Sequence, residues 1–187
     1  MDLQGSLFGD EIHEYFVLIS PDEVTIKEVE FWKKEFEKYI RFSSVNVKNR
    51  PHLSLVKFRR PYQSDQVVME SVASALKTAR SFRLSLDGST VFNHDGSKRT
   101  VVLKLKDPDP PKIMARLLRR EFKMPATYFT PHITILRSIP VEDYNKIAET
   151  QKEIKSRNEF WCDRVTILKK RVLVDTSYES LGEVMLK

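Results

Sequence analysis

The phrase Pro-His-aliphatic-hydroxyl-aliphatic is written twice in this chain, as PHLSLVKF from Pro51 and as PHITILRS from Pro131. Each copy alternates apolar and polar residues as a β-strand does. Each is followed by a stretch with helical spacing, SDQVVMESVASALKTAR over 64–80 and VEDYNKIAETQKEIKSR over 141–157. A strand–helix unit repeated in this way predicts two related halves that meet across an approximate two-fold axis. Residues two apart in a strand share a face, so His52 stands with Ser54 and His132 with Thr134, while Leu53, Leu55, Ile133 and Ile135 turn to the buried side.

The remaining pattern fits around these units. EYFVLIS over 14–20 is a short apolar strand, and Pro21-Asp22 opens a helix running to about Ile40, with Val29, Trp32, Phe36, Tyr39 and Ile40 on one face. FRLSLDGSTVF and RTVVLKLKD bracket NHDGSK, whose Asp-Gly predicts a hairpin. Prolines 108, 110 and 111 precede a helix to Phe122, with Pro108–Pro111 the natural hinge between halves. WCDRVTILKKRVLV and LGEVMLK read as two closing strands. Residues 1–13 carry little pattern and are expected as a flexible arm on a single domain, 1–187, of two lobes.

Hydrophobic residues make 41% of the 187 positions and charged ones 31%, which is ordinary for a globular chain and excludes general disorder. The formal charge of +6 favours an anionic partner such as RNA or a nucleotide. Cys162 is the only cysteine, so neither an intramolecular disulfide nor a cysteine zinc cage is available, and a reducing cytoplasm fits. The opening residues lack a secretory signal and no apolar run approaches a membrane span, so a cytoplasmic protein with no membrane partner is expected, by default a monomer.

Two opposed imidazoles suit proton transfer at both ends of one displacement: a neutral ring takes a proton from the attacking oxygen and a protonated ring gives one to the leaving oxygen. The hydroxyls of Ser54 and Thr134 would donate to phosphate oxygens, and in-line displacement at a phosphodiester needs little more than such positioning and charge. Without a nearby carboxylate pair or cysteine the histidines leave a metal's ligand set unfilled, so no metal and no cofactor is expected. Two alternatives stay open: a binding module that keeps the cleft without turnover, and a packing role with both rings buried and satisfied.

The pair HLS and HIT, with FTPHITILR around the second, resembles the 2H phosphoesterase superfamily, in its branch of 2′-5′ RNA ligases and RNA 2′,3′-cyclic phosphodiesterases. The order of elements resembles it over nearly the whole chain. That resemblance implies an α+β, bilobal fold with two antiparallel-rich sheets around a central cleft and helices outside. It implies that His52, Ser54, His132 and Thr134 are catalytic, opening a 2′,3′-cyclic phosphate to a 2′-phosphate or making and breaking 2′-5′ bonds. Ser54 stands where threonine is frequent and keeps the donor. Arg137, five residues past His132, matches a phosphate-holding position. Strict alternation sends Arg137 to the wrong face unless a bulge or the strand end returns it; otherwise it is an exposed terminal arginine. Phe58 and Tyr128 flank the motifs and are candidates to stack on a base, while Arg50, Arg59 and Arg60 could gather a backbone or form a solvated edge. His13 and His94 have no partner at motif spacing and are expected at the surface.

Overall fold

A computed structural model of the chain describes residues 11–61, 65–94 and 96–187. The strands are β1 (Ile12–Ile19), β2 (Leu53–Pro61), β3 (Phe82–His94), β4 (Lys98–Leu105), β5 (His132–Pro140), β6 (Glu159–Cys162), β7 (Arg164–Arg171) and β8 (Glu179–Met185). The helices are α1 (Glu23–Glu37), α2 (Ser44–Lys48), α3 (Asp65–Leu76), α4 (Asp109–Glu121) and α5 (Val141–Lys152). Local chemistry sets several boundaries. The Asp22 carboxylate accepts from the Thr25 amide at 2.9 Å to start α1, and Ser43 caps α2 through the Asn46 amide. Pro110 and Pro111 occupy the first turn of α4, where a missing N–H costs nothing. The Pro108–Pro111 stretch is thus a helix start and not a hinge between halves.

All strand pairs are antiparallel, in the order β6-β3-β4-β5-β2-β1-β7-β8, and the sheet curls into a half-barrel. The two expected sheets are its two halves, joined between β2 and β5 by a single register pair, Leu53 with Ile133. The repeat is larger than the motifs: β1-α1-β2-α3 in one half corresponds to β4-α4-β5-α5 in the other. Each half is completed from elsewhere in the chain, by β3 and β6 on the β4–β5 side and by β7 and β8 on the β1–β2 side. The closing stretch therefore forms three strands and not two, because the chain leaves β6 in one half and crosses at Asp163 to begin β7 in the other.

The helices cover one face of the sheet. Tyr15, Val17, Ile19, Leu53, Leu55, Val101, Leu103, Ile133 and Ile135 turn toward them and are buried. The first helix of each half reaches across: α1 packs on β5, and α4 on β2. Val29, Phe36 and Ile40 enter the core as the spacing predicts, but α1 ends at Glu37 and Tyr39 is exposed. The arm expected over 1–13 lies outside the described residues up to residue 10, and its last two residues belong to β1. Of the predicted hairpin turn, Asp95 lies outside the described residues, while Gly96 takes φ +72°, a conformation its missing side chain permits. No helix among the described residues is long and apolar enough to cross a membrane.

Leu53 is fully buried at the junction. Leu53→Ala should cost about 2–5 kcal/mol in urea unfolding, whereas Ile113→Ala, on the exposed face of α4, should cost less than about 0.5 kcal/mol.

Candidate active site

The repeated proline explains itself in the backbone. Proline restricts the residue before it to extended conformations, and in both copies the carbonyl of that residue turns back to the imidazole. His52 Nδ1 lies 2.7 Å from the Arg50 oxygen, and His132 Nδ1 lies 2.7 Å from the Thr130 oxygen. A carbonyl only accepts, so each Nδ1 carries the hydrogen and each Nε2 is left to take or give a proton. Phenylalanine edges fix both rings from the side: Phe16 meets His52 at 5.1 Å and 85°, and Phe92 meets His132 at 4.9 Å and 90°.

The junction sets the four polar side chains in a square. Leu53 opposes Ile133 in antiparallel register, so one step either way places His52 beside Thr134 and Ser54 beside His132. All four are half-buried on the face away from the helices. A purely packing role required fully buried, satisfied rings; these are half-buried, with a hydrogen bond at Nδ1 alone among the described residues.

Arg137 returns to this face through a bulge, and the other half repeats the device. Along β1–β2 the register passes from Val17–Val56 to Leu18–Ser54, skipping Leu55; along β4–β5 it passes from Val101–Leu136 to Val102–Thr134, skipping Ile135. Consecutive residues Leu55-Val56 and Ile135-Leu136 are then both buried, and alternation resumes with its sense reversed. Lys57 and Arg137, at the same offset from their histidines, come round to the imidazoles. Burial lowers both histidine pKa values below the ordinary 6.5; the backbone hydrogen bonds oppose this, and cationic neighbours add to it. Those neighbours are Lys57, His132 and Arg137 for His52, and Arg137 for His132.

The backbone of Arg137 is clamped by Asn46 of α2. The Asn46 Oδ1 accepts from the Arg137 amide at 2.8 Å, and its Nδ2 donates to the Arg137 oxygen at 3.0 Å. Beyond it, Ser138 takes φ +50° and its amide donates to Thr100 Oγ1 at 2.9 Å. Lys57 is held differently, its Nζ 4.6 Å from the centre of the Phe16 ring and 3.9 Å from the Glu14 carboxylate. Glu14 is buried beneath the cleft, where Arg59 at 2.8 Å, Lys170 at 3.7 Å and the Tyr178 hydroxyl also reach it. Burial pushes the Glu14 carboxyl up, but the hydrogen bonds from Tyr178 and Arg59 and the charge of Lys57 outweigh it and the net shift is downward. Burial lowers the Lys57 ammonium.

Other sequence expectations fall elsewhere. Phe58 is not at the cleft: the bulge that brings Lys57 outward turns Phe58 inward, between Tyr15 at 5.4 Å and Phe122 at 4.1 Å, with no face left for a base. Tyr128 is 96% exposed on the loop before β5. Arg59 is committed to Glu14, Arg60 donates to the Phe122 carbonyl, and Arg50 supplies the carbonyl that orients His52. His94 is exposed as expected, but His13 is buried within β1, beside Tyr15 and with Nε2 2.9 Å from Glu11. Among the described residues no group of three or more His, Cys, Asp or Glu could hold a metal. In the sequence Lys57 stands out only as the basic residue that repeats the offset of Arg137, and no role at the site is read from it. Asn46 carried no signal, being 91 residues from its partner.

Comparison with known proteins bears on the same residues. The family model described as the 2′-5′ RNA ligase superfamily matches residues 21–172, which include both motifs. No curated protein matches the chain by sequence. Among solved structures it is similar to E. coli LigT in apo form, at 20% identity and TM-score 0.65, covering 95% of this chain and 99% of that one. LigT from E. coli complexed with 3′-AMP superposes at 18% identity and TM-score 0.62, covering 95% and 99%. Usb1 of Kluyveromyces marxianus does so at 14% identity and TM-score 0.52, covering 92% and 98%. At these identities the likeness establishes the fold.

Imidazole titration followed by NMR should place both His52 and His132 below 6.5. Removing the neighbouring cation in Arg137→Ala should raise both; values unmoved by that substitution would show the guanidinium to be elsewhere.

Proposed function

The chain belongs to the 2′-5′ RNA ligase superfamily, and from that premise we propose that it is a metal-independent phosphodiesterase acting on 2′,3′-cyclic phosphates of RNA ends or nucleotides. The observation that carries this reading is the matched pair of imidazoles, each fixed at Nδ1 by a carbonyl and each with Nε2 toward a shared electropositive cleft. The fold relative E. coli LigT, crystallised with 3′-AMP and with phosphate, supports a cleft of nucleotide size.

Burial lowers both rings, and the cations of this face add to it. Lys57, seated over the Phe16 ring whose edge meets His52, sets one further cation on that side, and on this basis the roles are divided. Neutral His52 is the base and His132 retains the proton. His52 Nε2 takes a proton from water as its oxygen forms a bond to phosphorus; the bond to O3′ breaks, and O3′ receives the proton of His132 Nε2. The product is a 2′-phosphate, and exchange with solvent resets both rings. Ser54, Thr134, Arg137 and Lys57 hold the non-bridging oxygens, where charge builds in the transition state. A 5′-hydroxyl in place of water would give a 2′-5′ bond with the same proton movements. All these groups come from one chain, so a monomer suffices.

Nucleoside 2′,3′-cyclic monophosphates and a short RNA ending in a cyclic phosphate should be opened to 2′-phosphates with EDTA present. His52→Ala and His132→Ala should each lower kcat by about 10²–10⁴, and Thr134→Ala by about 10². The base must lie above its pKa and the acid below its own, so with both lowered the maximum of kcat/KM should fall below pH 6.5. Bound phosphate favours the charged rings and should move the kcat profile to higher pH. Activity lost on chelation, or no product from any cyclic phosphate, would overturn this reading.

A further inference from the structure

The two halves repeat not only the motif strands but also the space beside the loop that leads to each histidine, and these two spaces differ in charge. Beside α1 and the loop to His52 is a groove of about 320 Å³ in which the carboxylates of Glu23 and Glu30 offset the cations Lys33, Lys48 and Arg50. Its Lys33 is spent on the carbonyls of Asn46 and Asn49. Beside α4 and the loop to His132 is a groove of about 510 Å³ with no carboxylate in its lining. Lys112, Arg116, Arg119 and Arg120 line it, at spacings that put them on one face of the helix. Lys112 pairs with Asp109 at 3.7 Å, while the three arginines have no carboxylate partner among the described residues. Met124 and Phe129 supply an apolar floor, and the ring of Tyr128 stands 96% exposed at the edge.

Cations over an apolar and aromatic floor are what a single RNA strand needs: charge for the backbone and flat surface for the bases. Tyr128 is four residues from His132, so their backbones are within about 14 Å of each other. We propose that the α4 groove binds the single-stranded RNA body upstream of a terminal cyclic phosphate, and so fixes the direction in which substrate enters a nearly symmetric cleft. The inference rests on the function proposed above and extends it from a mononucleotide to an oligonucleotide. The ribose that keeps the leaving O3′ must lie on the side of the acid. An RNA body leaving past the loop to His132 puts it there, on the side taken above for the acid.

The test compares a nucleoside 2′,3′-cyclic monophosphate with a single-stranded RNA bearing the same end, for the wild type and for Arg116→Ala/Arg120→Ala. The double variant should lose about tenfold or more in kcat/KM on the RNA and show a shallower salt dependence there. Its turnover of the mononucleotide should stay within about twofold. Arg116→Lys/Arg120→Lys should restore most of the loss, and Lys48→Ala, in the mate groove, should leave the RNA reaction unchanged. Equal losses on both substrates, no loss on either, or a loss from Lys48→Ala would overturn the groove. If the wild type turns over neither substrate, the proposed reaction fails and the groove is judged by anisotropy of 5′-labelled RNA alone. Salt-sensitive binding weakened in the double variant would then uphold it, and equal binding by both proteins would overturn it.

Discussion

One backbone pair, Leu53 with Ile133, joins two four-stranded halves, and the cleft exists because that pair is in register. A shift by one residue would turn His52 and His132 into the helical layer and put leucine and isoleucine in their place. So short a ladder cannot hold such a register through hydrogen bonds. It is held by packing: both side chains of the pair are fully buried, and α1 and α4 each lie on the motif strand of the opposite half. The helices act as crossed braces, and the geometry of the square of motif side chains inherits the stiffness of the core.

A second constraint is charge. The cleft gathers Lys57, Arg137 and two imidazoles, and in the free protein burial, with repulsion among these groups added to it, holds both rings toward neutrality. Groups committed elsewhere keep that arrangement: Asn46 grips the backbone of Arg137, and the buried Glu14 anchors Lys57 from below. The phosphate of the proposed substrate would relieve that repulsion, and a site held in this way is preorganised for such an anion.

Much of this was legible in the sequence because alternation along Leu53–Leu55 and Ile133–Ile135, the helical spacing of Val29 and Phe36, and the Asp-Gly turn are local signals. The four motif residues followed from the same alternation. What failed was non-local or depended on broken parity. The bulges at Leu55 and Ile135 reversed the faces of everything beyond them: this is the departure from alternation that Arg137 needed to reach the cleft, and it took Phe58 away from it. The split between β6 and β7 occupies a single residue, Asp163, too short to leave a turn signature, and which half each strand joins is decided by pairing far along the chain. α2 spans five residues, fewer than a periodic pattern needs, and so the Asn46 clamp was invisible. His13 was taken for part of an arm because the residues before it show little periodic pattern, yet in β1 it lies between β2 and β7, paired with Arg60 and Arg171.

The pairing of β1 with β7 also bears on how the protein is made. A ribosome delivers β1 and β2 early, but the strand that closes the other edge of β1 emerges only after most of the chain, roughly ten to thirty seconds later at ordinary elongation rates. For that time the nascent protein carries an apolar strand with an open edge, the kind of surface on which chains aggregate. Glu14 is the third of that strand's eight residues. A charged side chain on that strand deters a stray strand from docking; Arg59 of β2 reaches it first, and β7 later adds Lys170 in register opposite Glu14. The residue that steadies the cleft in the finished enzyme thus guards the unfinished one.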